Sequence, residues 1–270
     1  MFVEKIKARV HWTDRDSVEN GMLRCCICEV IGSMFLLVLA GGMAVNNTRS
    51  SYPNVMQSGA ASGFCIMTIA QFIGAISGGH INCAVTFGLF MAGRVSGYRF
   101  VCYLIAQTLG SVLGVAVLLY IYGATFDGER DSFAANEWDP AVFNGGQVFL
   151  AEAFATAVIL FDVLATIDHP VEGGGSLGIF PISMSVLVAV LFLVPIDGCS
   201  VNPTRSFGIY LVACMAGAKG NFIQQHYVFW LGPMFGAGLA AALYGTFYLQ
   251  CNLSTFFFDP TSTFLLHSIK

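Results

Sequence analysis

Six apolar runs of roughly 20 residues recur along this chain, and runs of that length cross the hydrocarbon core of a bilayer as helices. They lie near residues 25–45, 58–77, 100–122, 147–167, 177–196 and 227–249. Only 10% of the 270 residues are charged, and the mean hydropathy is +0.72. About a quarter of the residues of a soluble protein are charged. The sequence therefore predicts an all-α membrane protein.

Two further apolar segments are only about half as long as a span, and each begins with an asparagine. Residues 82–91 lie in the stretch GGHINCAVTFG, and residues 202–212 begin within the stretch DGCSVNPTRSFG. Asparagine is a strong N-cap, because its side-chain oxygen accepts a hydrogen bond from the first turn of a helix. Non-spanning backbone at membrane depth is tolerated only where protein buries it or where it lines water. The pattern predicts two re-entrant half-helices beside an aqueous path.

The chain consists of two related halves. The offset is 123 residues between Glu29 and Glu152, 120 between Asn82 and Asn202, and 126 between Gly110 and Gly236. Each half contains three spans, so the halves must cross the membrane in opposite directions. Inverted repeats of this kind place their shared site near the midplane. The positive ends of the two half-helices would meet there and repel cations, including protons.

Together these features resemble the aquaporins, the major intrinsic protein family. GGHINCAVTFG is similar to the family's first Asn-Pro-Ala box, and GCSVNPTRSFG is similar to its second box with the arginine attached. The resemblance implies six transmembrane helices plus two re-entrant half-helices in an inverted repeat. It also implies a homotetramer with one pore in each subunit, embedded in a lipid bilayer. It implies no enzymatic activity, no cofactor and no nucleic-acid partner.

By this resemblance the two pore boxes are Asn82, Cys83, Ala84 and Asn202, Pro203, Thr204. Proline suits the first position of a helix. Cys83 in its place should therefore lower the local stability, by about 1 kcal/mol, without closing the pore. Cys83 is alternatively a reactive thiol near the pore, and the sequence leaves both roles open. Thr204 adds a hydroxyl where the family usually has alanine, and this hydroxyl is a candidate contact to the opposite half-helix.

The resemblance places the selectivity filter at Ser62, Val190, Cys199 and Arg205. Strict water channels have Phe and His where this chain has Ser62 and Val190, so the opening should be wider. Arg205 supplies a fixed positive charge and several hydrogen-bond donors. These residues imply passage of water and of small uncharged solutes such as glycerol, urea and ammonia. A strictly water-selective channel, or a poorly conducting structural or adhesion protein, remains the alternative.

Four polar residues are assigned to loop anchoring by the same resemblance: Glu29, Glu152, His80 and Gln107. His80 is alternatively a pH-sensitive group near the cytoplasmic mouth. An intramembrane enzyme would need a nucleophile with its base, or a metal cluster, within the spans, and no such grouping is visible. An ion-coupled transporter would need acids at the central site, and none is apparent beside the boxes.

Basic residues concentrate before the first span and after the first half-helix, which places both termini in the cytoplasm. The predicted organisation is a cytoplasmic segment 1–24, a first repeat 25–122, an extracellular connection 123–146, a second repeat 147–250 and a cytoplasmic tail 251–270. Asn46 begins an Asn-Asn-Thr sequon on the predicted outer side and is a candidate glycosylation site. No sorting signal stands out, so the plasma membrane is the expected location.

Overall fold

The structure is a computed structural model that describes residues 21–48, 50–51, 53–123, 133–168 and 178–258, the final stretch 248–258 as backbone only. Within these ranges every regular element is helical. In chain order they are α1 (Met22–Leu36), a π-helical turn (Leu37–Gly41), α2 (Gly42–Thr48), α3 (Val55–Ser77), α4 (Cys83–Met91), α5 (Gly97–Tyr122), α6 (Gly145–Asp168), α7 (Ile179–Asp197), α8 (Pro203–Met215), α9 (Phe222–Gln225) and α10 (Val228–Phe258). Parts of the predicted organisation lie outside the described residues: 1–20 and 259–270 in the terminal segments, and 124–132 in the connection between the repeats.

Among the described residues, six helical segments are long and apolar enough to cross a membrane: Met22–Thr48, Val55–Ser77, Gly97–Tyr122, Gly145–Asp168, Ile179–Asp197 and Phe222–Phe247. This confirms the predicted all-α membrane protein with six spans. Helices α4 and α8 are the two half-helices. Several boundaries differ from the sequence-based estimate by a few residues. The first span runs beyond 25–45 at both ends, α8 runs past residue 212, and α10 continues into the segment assigned to the tail. That continuation follows from the local sequence, because no glycine or proline interrupts residues 246–258.

Both half-helices follow a glycine that ends the preceding span. Gly78 after α3 and Gly198 after α7 have φ angles of 91° and 82°, in the left-handed region that glycine adopts without a steric penalty. The chain then turns back into the protein and reaches the asparagine that begins the half-helix. The same glycine turn therefore precedes the half-helix in each half of the protein.

The two halves also use the same type of helix packing. Helix α5 packs along α1 and α10 packs along α6, and each pair is in close backbone contact at a glycine. A Cβ atom at Gly110 would meet the carbonyl oxygen of Val30, and one at Gly236 would meet that of Ala153. Small residues let helix backbones approach closely in membrane proteins. These contacts form the rigid frame that holds the half-helices.

Candidate functional site

The two half-helices meet at their N-termini and are tied together by their capping asparagines. Asn82 Nδ2 donates to the carbonyl oxygen of Val201 at 2.8 Å, and Asn202 Nδ2 donates to that of Ile81 at 2.9 Å. Ile81 and Val201 have left-handed φ angles of 55° and 43°. Such angles are uncommon for residues other than glycine. Here they accompany carbonyl groups that bond to the opposite half.

Each asparagine also caps its own half-helix. Asn82 Oδ1 accepts from the Ala84 N–H at 2.8 Å, and Asn202 Oδ1 accepts from the Arg205 N–H at 3.3 Å and from Thr204 Oγ1 at 2.8 Å. An amide group has two hydrogens, and each asparagine uses one of them across the interface. Both side chains line a cavity, so the second hydrogen is available there to a solute.

Glu29 anchors the first re-entrant loop. Its carboxylate is fully buried and accepts four hydrogen bonds. The donors are the backbone N–H groups of His80 (3.0 Å) and Ile81 (2.7 Å), Ser77 Oγ (2.7 Å) and Gln107 Nε2 (2.8 Å). Four neutral donors compensate the loss of water around this charge. The predicted roles of Glu29 and Gln107 therefore correspond to direct contacts in the structure.

Glu152 occupies the equivalent position in the second half. Its carboxylate is also fully buried and accepts from the Ser200 N–H at 2.6 Å and the Val201 N–H at 2.7 Å. The described residues place a second acid, Asp197, within hydrogen-bonding range of Glu152. The sequence-based statement that no acid lies beside the boxes is thus wrong. The physical reason is that Asp197 ends α7, which packs against α6, the helix that carries Glu152.

His80 lies in the first re-entrant loop. Its Nδ1 is 3.1 Å from Thr86 Oγ1, and its ring packs edge-on against Tyr103 with the ring centroids 5.0 Å apart. Its backbone N–H is one of the donors to Glu29. His80 therefore connects the loop to its own half-helix, and its side chain also contributes to a cavity wall.

Two cavities flank the asparagine boxes. The arginine cavity, of about 200 Å³, has Arg205, Asn82 and Asn202 on its wall. The histidine cavity, of about 650 Å³, has His80 and Asn82 on its wall. The two share Ile66, Asn82, Ile159 and Val186. They are therefore adjacent at the boxes and together form a candidate path through the protein.

The structure places all four predicted filter residues on the wall of the arginine cavity: Ser62, Val190, Cys199 and Arg205. The wall combines polar and apolar side chains. Hydroxyl and amide groups come from Ser58, Ser62 and Asn47, whereas Val186, Val190 and Val194 supply apolar surface. Such a wall offers a solute both hydrogen bonds and apolar contact.

Arg205 is held by a residue that the sequence analysis did not identify. Its Nη1 donates to Asn136 Oδ1 at 2.5 Å, and Ser206 Oγ donates to the same oxygen at 2.6 Å. Asn136 is buried and lies in the connection between the halves. Two residues further along, the backbone of Trp138 forms two hydrogen bonds with the Gln225 side chain, and these fix the position of this part of the connection. No local pattern marks Asn136, because its role depends on a partner 69 residues away.

The profile of one protein family, described as Major intrinsic protein, matches residues 16–244 of this chain. The chain belongs to the major intrinsic protein family. It is 33% identical to aquaporin-1 of Bos taurus over 229 residues, which cover 82% of this chain and 80% of that protein. It is 33% identical to the lens fiber major intrinsic protein of Gallus gallus over 230 residues, which cover 85% of this chain and 83% of that protein.

A solved structure supports the fold independently. The X-ray structure of the aquaglyceroporin from Plasmodium falciparum superposes with a TM-score of 0.70 and covers 83% of this chain and 95% of that chain. At 21% identity this similarity establishes the fold only. As a member of the major intrinsic protein family, the chain is a membrane channel and not an enzyme, as predicted.

Two residues of the boxes that depart from the family pattern contact one another. Cys83 and Thr204 are both fully buried, and the Cys83 thiol interacts with the hydroxyl and the backbone of Thr204. The Thr204 hydroxyl also donates to Asn202. Cys83 is absent from the walls of both cavities. In this family member the geometry therefore favours a packing role for Cys83 over that of an exposed reactive thiol.

Replacing Cys83 by proline should stabilise the first half-helix. Asn82 has φ −148° and ψ 120°, a conformation that suits a residue before proline, and Asn202 before Pro203 is similar. The first intrahelical bond runs from the Thr86 N–H to Asn82 at 3.0 Å, so the Cys83 N–H precedes it. We expect Cys83→Pro to raise the free energy of unfolding by about 0.4–1 kcal/mol, with unchanged water permeability.

Thermal unfolding in detergent tests this expectation, with Cys83→Ala as the matched control. Alanine removes the thiol contact without restricting the backbone, so it should be no more stable than the wild type. A proline variant that melts below the alanine variant would show that the contact between Cys83 and Thr204 outweighs the backbone effect.

Asn46 lies in α2, and its Oδ1 accepts from Tyr122 OH at 2.8 Å. Within the same sequon, Thr48 Oγ1 donates to the carbonyl oxygen of Val45 at 2.9 Å. Both side chains are therefore engaged within the protein. Glycosylation of Asn46 stays a prediction, and a mobility shift after treatment with an N-glycosidase would test it.

Proposed function

We propose that this channel conducts water and small uncharged solutes, including glycerol, urea and ammonia, and excludes ions and protons. The observation that carries the proposal is the composition of the arginine cavity. Ser62 and Val190 lie on its wall where large or basic side chains would narrow it. A water molecule needs roughly 10–15 Å³ of such space, so a cavity of about 200 Å³ accommodates a larger solute.

The chemistry of the wall supports neutral solutes. A polyol or urea can exchange hydrogen bonds with Ser62, Asn47 and Arg205 while its other face contacts Val186 and Val190. Cations meet an unfavourable potential, because Arg205 is positive and the N-termini of α4 and α8 both point at the boxes. Asn82 and Asn202 supply donors that a water or hydroxyl oxygen can accept.

Stopped-flow light scattering on proteoliposomes tests the proposal. We expect fast shrinkage in a sucrose gradient and fast re-swelling in glycerol and in urea, with no proton leak reported by an internal pH dye. Fast shrinkage without re-swelling would identify a strictly water-selective channel. Shrinkage equal to that of protein-free liposomes would favour the poorly conducting structural or adhesion protein.

Thiol modification should block the channel at Cys199. This side chain is 5% exposed and lies on the wall of the arginine cavity, whereas Cys83 is 0% exposed and lies on neither cavity wall. A small organomercurial bound to the thiolate would occupy the filter. We expect water permeability to fall to that of protein-free liposomes in the wild type and in Cys83→Ser, and to persist in Cys199→Ser. Block that persists in Cys199→Ser but vanishes in Cys83→Ser would instead place the accessible thiol at the box.

We further propose a homotetramer in the plasma membrane with both termini in the cytoplasm. Charge asymmetry supports this orientation, since Arg24 and Arg99 lie near the starts of α1 and α5, and Arg94 lies in the turn between α4 and α5, all on the proposed cytoplasmic side. Native mass spectrometry tests the tetramer. Antibody access to terminal epitope tags, before and after permeabilisation of cells, tests the orientation and the location.

A further inference from the structure

The two buried glutamates are repeat-related but have different sets of hydrogen-bond donors. Glu29 receives two backbone N–H groups and two side-chain donors, Ser77 and Gln107. Among the described residues, Glu152 receives hydrogen bonds from two backbone N–H groups and from no neutral side chain. At the offset of 126 residues Gln107 corresponds to Pro233, which has no donor. At the offset of 120 residues Ser77 corresponds to Asp197.

Asp197 occupies the position that corresponds to Ser77, whose hydroxyl group donates a hydrogen bond to Glu29 in the first half. Its side chain is 1% exposed, and its Oδ1 accepts from the Cys199 N–H at 2.8 Å. Its Oδ2 has no hydrogen-bond donor among the described residues, yet the carboxyl group lies within hydrogen-bonding range of Glu152. An ionised carboxylate can only accept a hydrogen bond. Two adjacent buried carboxylates cannot both remain ionised without strong repulsion.

We propose that Glu152 and Asp197 share one proton, so that Asp197 donates to Glu152 as Ser77 donates to Glu29, and that this acid pair positions the loop that carries the filter. The loop contains Cys199 and leads directly to Asn202 and Arg205. The Asp197 carbonyl oxygen also accepts from Asn136 Nδ2 at 3.3 Å. This contact is made by the main chain, so the Asp197 side chain is a positioning residue that acts through Glu152 and the loop bonded to it.

The charges around the acid pair agree with a single shared proton. In the described part of the chain, Arg205 from α8 is the cation that acts on both acids, and Cys199 from the loop is a further titratable neighbour. The Glu137 carboxylate is engaged elsewhere, accepting from the Phe222 N–H at 3.2 Å. Helix α10 presents Gly232, without charge, to Glu152. With one shared proton the acid pair and Arg205 together are neutral, and loss of the proton would leave one net negative charge.

The acid pair makes the filter loop sensitive to alkali. As the pH rises, the shared proton passes to hydroxide and two adjacent negative charges remain. Their repulsion weakens the hydrogen bonds from Ser200 and Val201 to Glu152. A serine at position 197 would donate at any pH and would remove this sensitivity.

Infrared spectroscopy of the full chain in lipid tests the proposal without any transport measurement. We expect the wild type at neutral pH to show a protonated-carboxyl stretching band that shifts in D₂O. The band should be lost in Asp197→Asn and in Asp197→Ser. It should persist in the matched control Asp168→Asn, whose carboxylate is paired with Arg94 at 2.6 Å. A band unchanged in both Asp197 variants would overturn the proposal.

A second measurement separates the shared proton from a merely structural role of the side chain. The thermal transition of the wild type should fall as the pH is raised, whereas that of Asp197→Ser should fall less, because its hydroxyl keeps its hydrogen. Parallel pH profiles for the two proteins would overturn the proposal. Neither readout depends on which solutes the channel conducts, so failure here is distinct from failure of the proposed function.

Discussion

Replacing Gly236 by alanine is expected to destabilise the channel by about 3 kcal/mol or more, the upper range for overpacking a close helix contact. A Cβ atom at this position would lie against the carbonyl oxygen and the Cα of Ala153. These are backbone atoms of α6 and cannot turn aside as a side chain would. Helix α10 would have to move away from α6, and α6 carries Glu152. We therefore expect the loss of folded protein and of water permeability together.

Size-exclusion chromatography after a series of heating steps measures this effect. Gly245→Ala is the matched control on the same helix, since a Cβ there meets nothing within 4 Å, and alanine favours a helix over glycine. The repeat predicts that Gly110→Ala, which would meet the backbone of Val30, behaves like Gly236→Ala. A stable Gly236→Ala channel would mean that the two helices separate without disturbing the half-helices.

Replacing Ser62 by phenylalanine should convert the channel to one that passes water alone. The phenyl ring would fill much of the arginine cavity between Val190 and Arg205. We expect glycerol and urea permeability to fall by at least roughly tenfold, equivalent to about 1.4 kcal/mol in the barrier, while water permeability stays within a small factor of the wild type. The reason is size, since a single file of water needs less cross-section than a polyol.

Thr68→Phe is the matched control, because Thr68 lies on the same helix but is exposed on the outside of the protein. It places the same ring outside the cavity and should leave every permeability unchanged. The measurement is stopped-flow scattering with sucrose, glycerol and urea gradients. Unchanged glycerol entry in Ser62→Phe would locate the narrowest point elsewhere, and loss of water entry as well would show that the ring seals the path.

Much of this architecture was predictable because its causes are local. The spans follow from apolar runs that match the thickness of a bilayer. Asn82 and Asn202 indicate half-helices through capping chemistry, which acts within one turn. The equal spacings around Glu29 and Glu152 predict the inverted repeat, since a repeated sequence forms repeated contacts. Hydropathy alone misplaced the end of α10, because it reports the length of the apolar span and not the residues over which the helix continues.

Contacts between distant segments were not predictable from one sequence. Arg205 bonds to Asn136, and Asp197 approaches Glu152. In each case neither residue carries a local signal of its partner. The π-helical turn at Leu37–Gly41, which contributes to the wall of the arginine cavity, is likewise absent from any periodic pattern.

The sequence by itself determined that the protein lies in a membrane, how many spans it has, where the two half-helices lie and which repeat relates the two halves. Each of these depends on apolar length, capping or spacing along the chain. Only the tertiary structure decided what holds the filter arginine and which donor stands opposite each buried glutamate. Those features depend on how the two halves close on each other, and that closure places Asp197 where the first half has Ser77.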